Sequence, residues 1–150
     1  MELFKRKNTT AADLKKWLEA LFKKNEMVLS EHAVPETENT WVTQNGEIPF
    51  YIKIDTTDPE VEYIIFHSIL CEMPTDQFLP FYRKCLELNA NLFNAALTVD
   101  ETSIFFFQKA GIKYLCEEEL EEMISYHLTV AELVLKDLAE EFDVVPNTIS

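Results

Sequence analysis

Residues 115–142 read LCEEELEEMISYHLTVAELVLKDLAEEF, the longest regular pattern in the chain. Apolar residues recur there at every third or fourth position: Leu120, Ile124, Leu128, Ala131, Leu135, Leu138 and Phe142. This spacing places them on one face of an α-helix. Four further residues widen this face: Met123, His127, Val130 and Val134. The apolar face then spans about 160° around the helix axis, more than the roughly 100° that a helix needs to cover one core. The helix is therefore predicted to need a second apolar neighbour.

The chain is strongly acidic. Its 150 residues include 27 acidic and 13 basic ones, which gives a formal net charge of −14 at pH 7. Such a charge repels nucleic-acid phosphates and anionic lipid headgroups, so neither nucleic acid nor membrane is an expected partner. Two explanations remain open: the acidity keeps a small protein in solution, or it attracts a basic protein partner.

Length and cysteine content indicate a single cytoplasmic domain over residues 1–150. A chain of this length buries about 70% of its unfolded surface, and about eight residues at each end are expected to fray. The three cysteines, Cys71, Cys85 and Cys116, are odd in number and widely spaced, which is typical of reduced intracellular thiols. No apolar run reaches the roughly 20 residues that span a bilayer, and the N-terminal pattern is not that of a secretory signal.

Helix and strand patterns alternate through the rest of the chain. Thr10 and Asp13 form a predicted capping box for a helix over residues 11–24. Asn45-Gly46 predicts a two-residue turn between strands at 39–44 and 48–54. A shorter helix is marked by Phe81, Cys85, Leu88 and Leu92, and a hairpin with its turn at 100–102 follows. Short extended pieces are also predicted at 27–34 and 112–114.

The longest strand pattern, residues 61–72, is apolar on both faces. It is predicted to lie at the centre of a sheet and to be covered on both sides. The order of patterns, with hairpin-length links, favours an α+β fold in which helices pack on one face of an antiparallel sheet of about five or six strands.

The sequence lacks the motifs that bind phosphates or catalytic metals. With only Gly46 and Gly111 in the chain, no glycine-rich loop can cradle a phosphate. The three histidines are isolated from one another and from any CxxC pair, so no cofactor or metal is predicted. An enzymatic or small-molecule pocket around His67 and nearby carboxylates is kept as an alternative, although a hydrogen-bonded core or interface histidine is favoured.

Aromatic residues on the predicted strands point to a protein-binding surface. A sheet with helices on one side must cover its other side with a loop or with another chain. Burying one phenylalanine contributes about 1.5–3 kcal/mol, so several exposed together favour association. With the edge of the long helix, the predicted partner-binding residues are Ile64, Phe66, Phe105, Phe106, Phe107, Met123, Val130 and Val134. The pattern leaves open which sheet face is outward.

The second half of the chain also resembles a known family. Residues 81–133 contain the Leu88-Asn89 helix end, a strand of small and apolar residues, a short turn, an apolar strand and a Cys-Glu-Glu-Glu-Leu entry to the long helix. These features resemble YbjN-type proteins and, more distantly, type III secretion chaperones. The resemblance implies an α-β-β-β-α-β-β-α domain that is small, acidic and commonly dimeric, without a defined chemistry.

Together these patterns predict a non-enzymatic, homodimeric protein-binding domain that acts as a chaperone or regulatory adaptor through apolar surfaces framed by acidic residues. A regulatory subunit docked permanently on a larger complex is the second alternative.

Overall fold

Three α-helices and one five-stranded sheet make up residues 7–146, the part of the chain that the computed structural model describes. In chain order the elements are α1 (Ala11–Lys24), a short 3-10 helix (Leu29–His32), β1 (Thr40–Asn45), β2 (Ile48–Asp55), β3 (Tyr63–Glu72), α2 (Phe78–Asn89), β4 (Ala95–Asp100), β5 (Ser103–Gly111) and α3 (Glu117–Glu141). The α+β class and the α-β-β-β-α-β-β-α order are confirmed.

The sheet is antiparallel throughout and has the strand order β1-β2-β3-β5-β4. The longest strand, β3, lies at its centre, as predicted from its two apolar faces. On the free edges of both outer strands, nearby segments form hydrogen bonds to the strand backbone. Val34 donates its N–H to the carbonyl of Thr40 on β1 at 2.9 Å, and the Asn89 side chain contacts the backbone of Leu97 on β4.

Local sequence signals explain the helix and hairpin ends. The capping box at α1 is confirmed: Asp13 N–H donates to Thr10 Oγ1 at 3.2 Å, and Thr10 N–H donates to Asp13 Oδ2 at 3.0 Å. The first hairpin turns one residue later than predicted. Asn45 pairs with Ile48, so the two turn residues are Gly46 and Glu47. Gly46 has a φ of +62°, a left-handed conformation that glycine adopts without strain.

The core lies between one face of the sheet and the three helices. One cluster of buried residues joins α1 to the first half of α3 over the β1 side of the sheet, and includes Leu18, Phe66 and Ile124. A second cluster joins α2 to the second half of α3 over the β4 side, and includes Phe81, Phe106 and Leu138. The wide apolar face of α3 therefore has two neighbouring helices, α1 and α2, and the predicted second neighbour lies within the same subunit.

A buried polar group ties α3 to the sheet. His127 is fully buried, with Nδ1 3.0 Å from Gln108 Oε1 and Nε2 2.8 Å from Ser68 Oγ. Since the Gln108 oxygen accepts, Nδ1 carries the proton and Nε2 accepts from the serine hydroxyl. Burial, with a smaller contribution from the charge of His67, lowers the pKa of His127 to about 3. The histidine is thus a satisfied, neutral core residue.

Three predictions about the connecting segments are wrong. Residues 27–34 form the 3-10 helix and an isolated bridge from Ala33 to Trp41 rather than a strand. Residues 112–114 follow the end of β5 without forming a strand. The chain after α3 does not simply fray, because Val144 is buried and the carbonyl of Val145 accepts from Glu72 N–H at 3.2 Å. Fraying predicted for residues 1–6 and 147–150 falls outside the described residues.

Candidate protein-binding surfaces

The sheet face opposite the helices is an apolar surface, which we call the open face. The buried side chains of the helices join clusters on the other side of the sheet, so within residues 7–146 no helix packs here. The strand register aligns one residue from each strand into a row across this face: Val42, Tyr51, His67, Phe107 and Ala96. All five are partly exposed. The prediction that β3 is covered on both sides is therefore not met within the described residues.

Aromatic stacking gives the open face a rigid centre. The rings of Tyr51 and His67 lie parallel, with centroids 4.7 Å apart and an interplanar angle of 4°. The ring of Phe105 lies 6.0 Å from His67. Burial lowers the pKa of His67, and the charge of Lys53 lowers it further, so this ring is neutral at pH 7. The arrangement presents a flat, uncharged aromatic patch.

The ring of His67 contacts Tyr51 and Phe105, and His67 does not line the clefts of about 520 Å³ and 630 Å³. The enzymatic alternative centred on His67 thus gains no geometric support.

The structure separates the predicted partner-binding residues by sheet face. Ile64, Phe66 and Phe106 are fully buried against the helices, and Val134 on α3 is 5% exposed. Their burial within the subunit removes these four from any docking surface. The three strand residues point inward because side chains on a strand alternate between faces, so Phe106 lies opposite to its two neighbours.

Phe105 and Phe107 lie on the open face and are partly exposed. Met123 and Val130 are also partly exposed, but each packs against a core cluster of its own subunit. Of the predicted surface residues, Phe105 and Phe107 are therefore the ones that the fold places on a free apolar surface.

Four exposed apolar side chains form a stripe on α2 that the sequence analysis missed. Leu79 is 82% exposed and Leu86 is 69% exposed, and Phe78 and Tyr82 lie beside them with 48% and 39% exposed. We call these four residues the α2 stripe. Phe78, Tyr82 and Leu86 repeat at intervals of four residues, so helical periodicity held the signal. The sequence analysis did not detect this second stripe, because Phe81 and Cys85 already accounted for a core-facing side of the same short helix.

Charges beside the α2 stripe are paired. Arg83 Nε lies 3.0 Å from Glu87 Oε1, one turn along the helix. Lys84 Nζ lies 3.1 Å from Glu141 Oε1 and 3.4 Å from Asp137 Oδ1 on α3. These five groups carry a net charge of −1, which is far smaller than the −14 of the whole chain.

The predicted acidic frame is not uniform. The open face carries Lys53 and Lys109, and Lys109 Nζ lies 4.0 Å from the centre of the Tyr63 ring. Glu117, Glu118 and Glu119 instead occupy the first turn of α3, where carboxylates stabilise the positive end of the helix dipole.

The buried thiols have no reactive form at neutral pH. Burial raises the pKa of Cys71 to about 12 and that of Cys85 to about 11, so both stay protonated. In the described part of the chain, His, Cys, Asp and Glu side chains form no group of three or more that could hold a metal ion. Nor does any helix between residues 7 and 146 have the length and apolar character needed to span a membrane.

Comparison with known proteins identifies the fold. No protein-family model and no curated protein matches the chain. Among solved structures, a chain of the ExsC–ExsE complex superposes with a TM-score of 0.65 at 12% identity, covering 87% of this chain and 96% of that one. YbjN from E. coli, described as a candidate transcription regulator, superposes with a TM-score of 0.59 at 16% identity, covering 91% and 96%. The chain therefore has the YbjN-type, secretion-chaperone-like α+β fold that the resemblance in its second half implied.

Proposed function

We propose that this protein is a homodimeric, non-enzymatic protein-binding domain that works as a chaperone or regulatory adaptor. The observation that carries the proposal is apolar surface that the core does not bury. This surface consists of the α2 stripe and the open face of the sheet. The ExsC–ExsE structure supports it, because there a chain of the same fold is part of a protein complex.

We assign the α2 stripe to a second copy of this chain. An exposed leucine or phenylalanine gains about 1.5–3 kcal/mol when it is buried, so four adjacent apolar side chains supply a driving force for association. Two subunits of charge −14 repel one another over most of their surfaces. At α2 the basic side chains of Arg83 and Lys84 offset two of the three neighbouring carboxylates, so two copies can approach there with less repulsion.

We assign the open face to a different protein. Its row of five residues is flat and aromatic at the centre, and Lys53 and Lys109 lie beside it. A hydrophobic centre with a charged rim is the usual composition of a protein interface. The domain boundaries at 1–150 and the cytoplasmic location remain predictions within this proposal.

Site-specific photo-crosslinking in native cells tests the binding function. A photoreactive phenylalanine analogue is placed at Phe105 on the open face and, as a matched control, at Glu132, an exposed position on α3. We expect Phe105 to give an adduct heavier than the chain by the mass of another protein, and Glu132 to give none.

Three outcomes are informative. Absence of any adduct at Phe105 would contradict the assignment of the open face. An adduct with a second copy of this chain would move self-pairing from α2 to the sheet. A purified chain that is monomeric but forms a Phe105 adduct in cells would support the alternative of a subunit in a larger complex.

A further inference from the structure

Strand β5 extends beyond its outer neighbour, β4. On one side β3 pairs with β5 as far as Gly111, whereas on the other side β4 begins at Ala95, opposite Gln108. Asn94, with a φ of +51°, turns the preceding chain away from the ladder. Residues Lys109 to Gly111 therefore form an edge without a strand beside it among residues 7–146.

The peptide groups of Lys109 and Gly111 point to that free edge. Ile112 donates its N–H to the carbonyl of Glu62 on the β3 side at 3.0 Å. Because backbone groups alternate in direction along an antiparallel strand, residues at even positions face β3 and those at odd positions face outward. The pairing of Ala95 with Gln108 places the Asn94 carbonyl opposite the Lys109 N–H, which leaves the Lys109 carbonyl and the N–H and carbonyl of Gly111 beyond the paired part of β4. Up to three main-chain hydrogen bonds are available to an added strand.

An apolar cleft of about 520 Å³ adjoins the free edge, between β5 and the first half of α3. Its walls include Phe93 and Tyr114, which are 73% and 58% exposed, together with Met123 and Tyr126. The Tyr126 hydroxyl accepts the N–H of Phe93 at 2.8 Å and so fixes the loop wall to α3. The cleft is thus built from ordered neighbours and is large enough for a bulky side chain.

The charge of the cleft selects for a cation. Glu119 and Glu122 line it, and no lysine or arginine does. Lys113 Nζ lies 5.2 Å from the centre of the Tyr114 ring, but Lys113 is not part of the lining. A bound segment with a basic side chain would complement these two carboxylates.

We propose that the β5 edge at Lys109–Gly111 and its cleft bind a short extended segment of the partner protein, with an apolar anchor followed by a lysine or arginine. This deepens the proposed protein-binding function and rests on it. Main-chain bonds to the edge provide affinity, and the cleft provides side-chain specificity, as in other cases of strand addition. An anchor and a basic residue two positions later lie on the same side of an extended chain, which matches the cleft and its carboxylates.

The test uses a synthetic probe, a fluorescein-labelled Ser-Thr-Val-Phe-Val-Arg-Arg-Ser peptide, and fluorescence anisotropy with the full chain. We expect saturable binding that weakens about tenfold in Phe93→Ala and in the double variant Glu119→Gln/Glu122→Gln. Glutamine at 119 can still cap α3, so the fold is kept. The matched control Glu118→Gln/Glu121→Gln changes the same charge at exposed positions outside the cleft and should change affinity less than about twofold.

Three further probes separate the parts of the proposal. A probe N-methylated at the phenylalanine and its two neighbouring valines cannot donate to the edge and should bind about tenfold more weakly. A probe with glutamates in place of the arginines should not bind. A peptide of residues 1–7, MELFKRK, also has an apolar pair followed by basic residues. If only that peptide binds, the occupant is a segment of this chain rather than a partner.

The proposal is overturned if the probe does not bind, if both pairs of glutamine variants weaken binding equally, or if N-methylation has no effect. Dissociation of the dimer by Phe93→Ala would assign the cleft to self-pairing and would also overturn it. An adduct at Phe105 in the crosslinking experiment, with no effect at the cleft, would leave the proposed function standing and remove only this site.

Discussion

His127 Nε2 lies 2.8 Å from Ser68 Oγ, and this hydrogen bond joins α3 to the central strand inside a shell of aromatic rings. The rings of Phe50 and Phe106 lie 4.7 Å and 4.8 Å from the imidazole, so a proton added to it would place a charge in an apolar site. The relationship makes the stability of the fold sensitive to pH.

The first prediction concerns that pH dependence. The unfolded chain protonates His127 near the ordinary pKa of 6.5, whereas the folded chain keeps it neutral down to about 3. The stability that the fold gains from a neutral His127 is therefore fully present above pH 6.5. It is lost as the pH falls from 6.5 toward 3, because only the unfolded chain binds the proton. Denaturant unfolding between pH 7 and 5 should show a His127-dependent slope approaching 1.4 kcal/mol per pH unit, roughly the value for one proton.

Comparison with variants isolates this slope. In His127→Gln the difference from wild type should shrink as the pH falls, because the variant has no such proton to bind. His67→Gln is the matched control; the pKa of His67 is lowered too, but its ring lies at the open face and should contribute less. Equal slopes in wild type and His127→Gln would contradict the buried neutral histidine.

The second prediction separates two neighbouring phenylalanines. Phe106 is fully buried in the core, whereas Phe107 is partly exposed on the open face. Phe106→Ala should cost about 3–5 kcal/mol of unfolding free energy, because it leaves a cavity, and Phe107→Ala less than about 2 kcal/mol. Urea unfolding of both variants checks this. A larger loss for Phe107→Ala would reverse the assignment of sheet faces.

The third prediction concerns the edge of β4. Leu97 N–H donates to Asn89 Oδ1 at 2.6 Å, and Asn89 Nδ2 donates back to the Leu97 carbonyl at 3.4 Å. This amide occupies backbone groups that could otherwise pair with another chain. Asn89→Ala should lower the unfolding free energy by about 1 kcal/mol and raise aggregation measured by light scattering.

Asn91→Ala is the control for this edge, because the Asn91 side chain contacts the Glu87 carbonyl within its own helix region at 3.5 Å and does not touch β4. Similar aggregation in the two variants would show that Asn89 does not protect the edge.

Local signals predicted most of the fold. The Thr10 and Asp13 capping box, the glycine at the first hairpin and the three-to-four spacing of α3 each depend on residues close in sequence, so each could be read without the tertiary structure. The breadth of the apolar face of α3 predicted a second neighbour but did not identify it, because α1 and α2, which cover this face, are distant from α3 in the chain.

The outward face of the sheet was harder to predict. Strand β3 is apolar on both sides, and Phe105, Phe106 and Phe107 show no polar alternation, so these strands alone cannot distinguish core from surface. The usable signal lay in β2, where Lys53 and Asp55 alternate with Ile52 and Ile54. This signal identifies the outward face of the other strands only when the register is known. Lys53 pairs with Ile65, and Ile65 pairs with Lys109, so all three lie on the same face.

The fourth prediction tests self-pairing, the central claim, through the α2 stripe. Leu79→Glu/Leu86→Glu adds charge at two highly exposed positions, so the subunit should fold while the pairing surface is lost. Val28→Glu/Leu133→Glu makes the same change at residues that are 53% and 58% exposed elsewhere, and is the matched control.

Light scattering coupled to gel filtration measures the outcome directly. For wild type and the control variant we predict a mass twice the 17.5 kDa of one chain, and for the α2 variant the mass of a single chain. A wild-type protein of 17.5 kDa, or an α2 variant that keeps the doubled mass, would contradict self-pairing through α2.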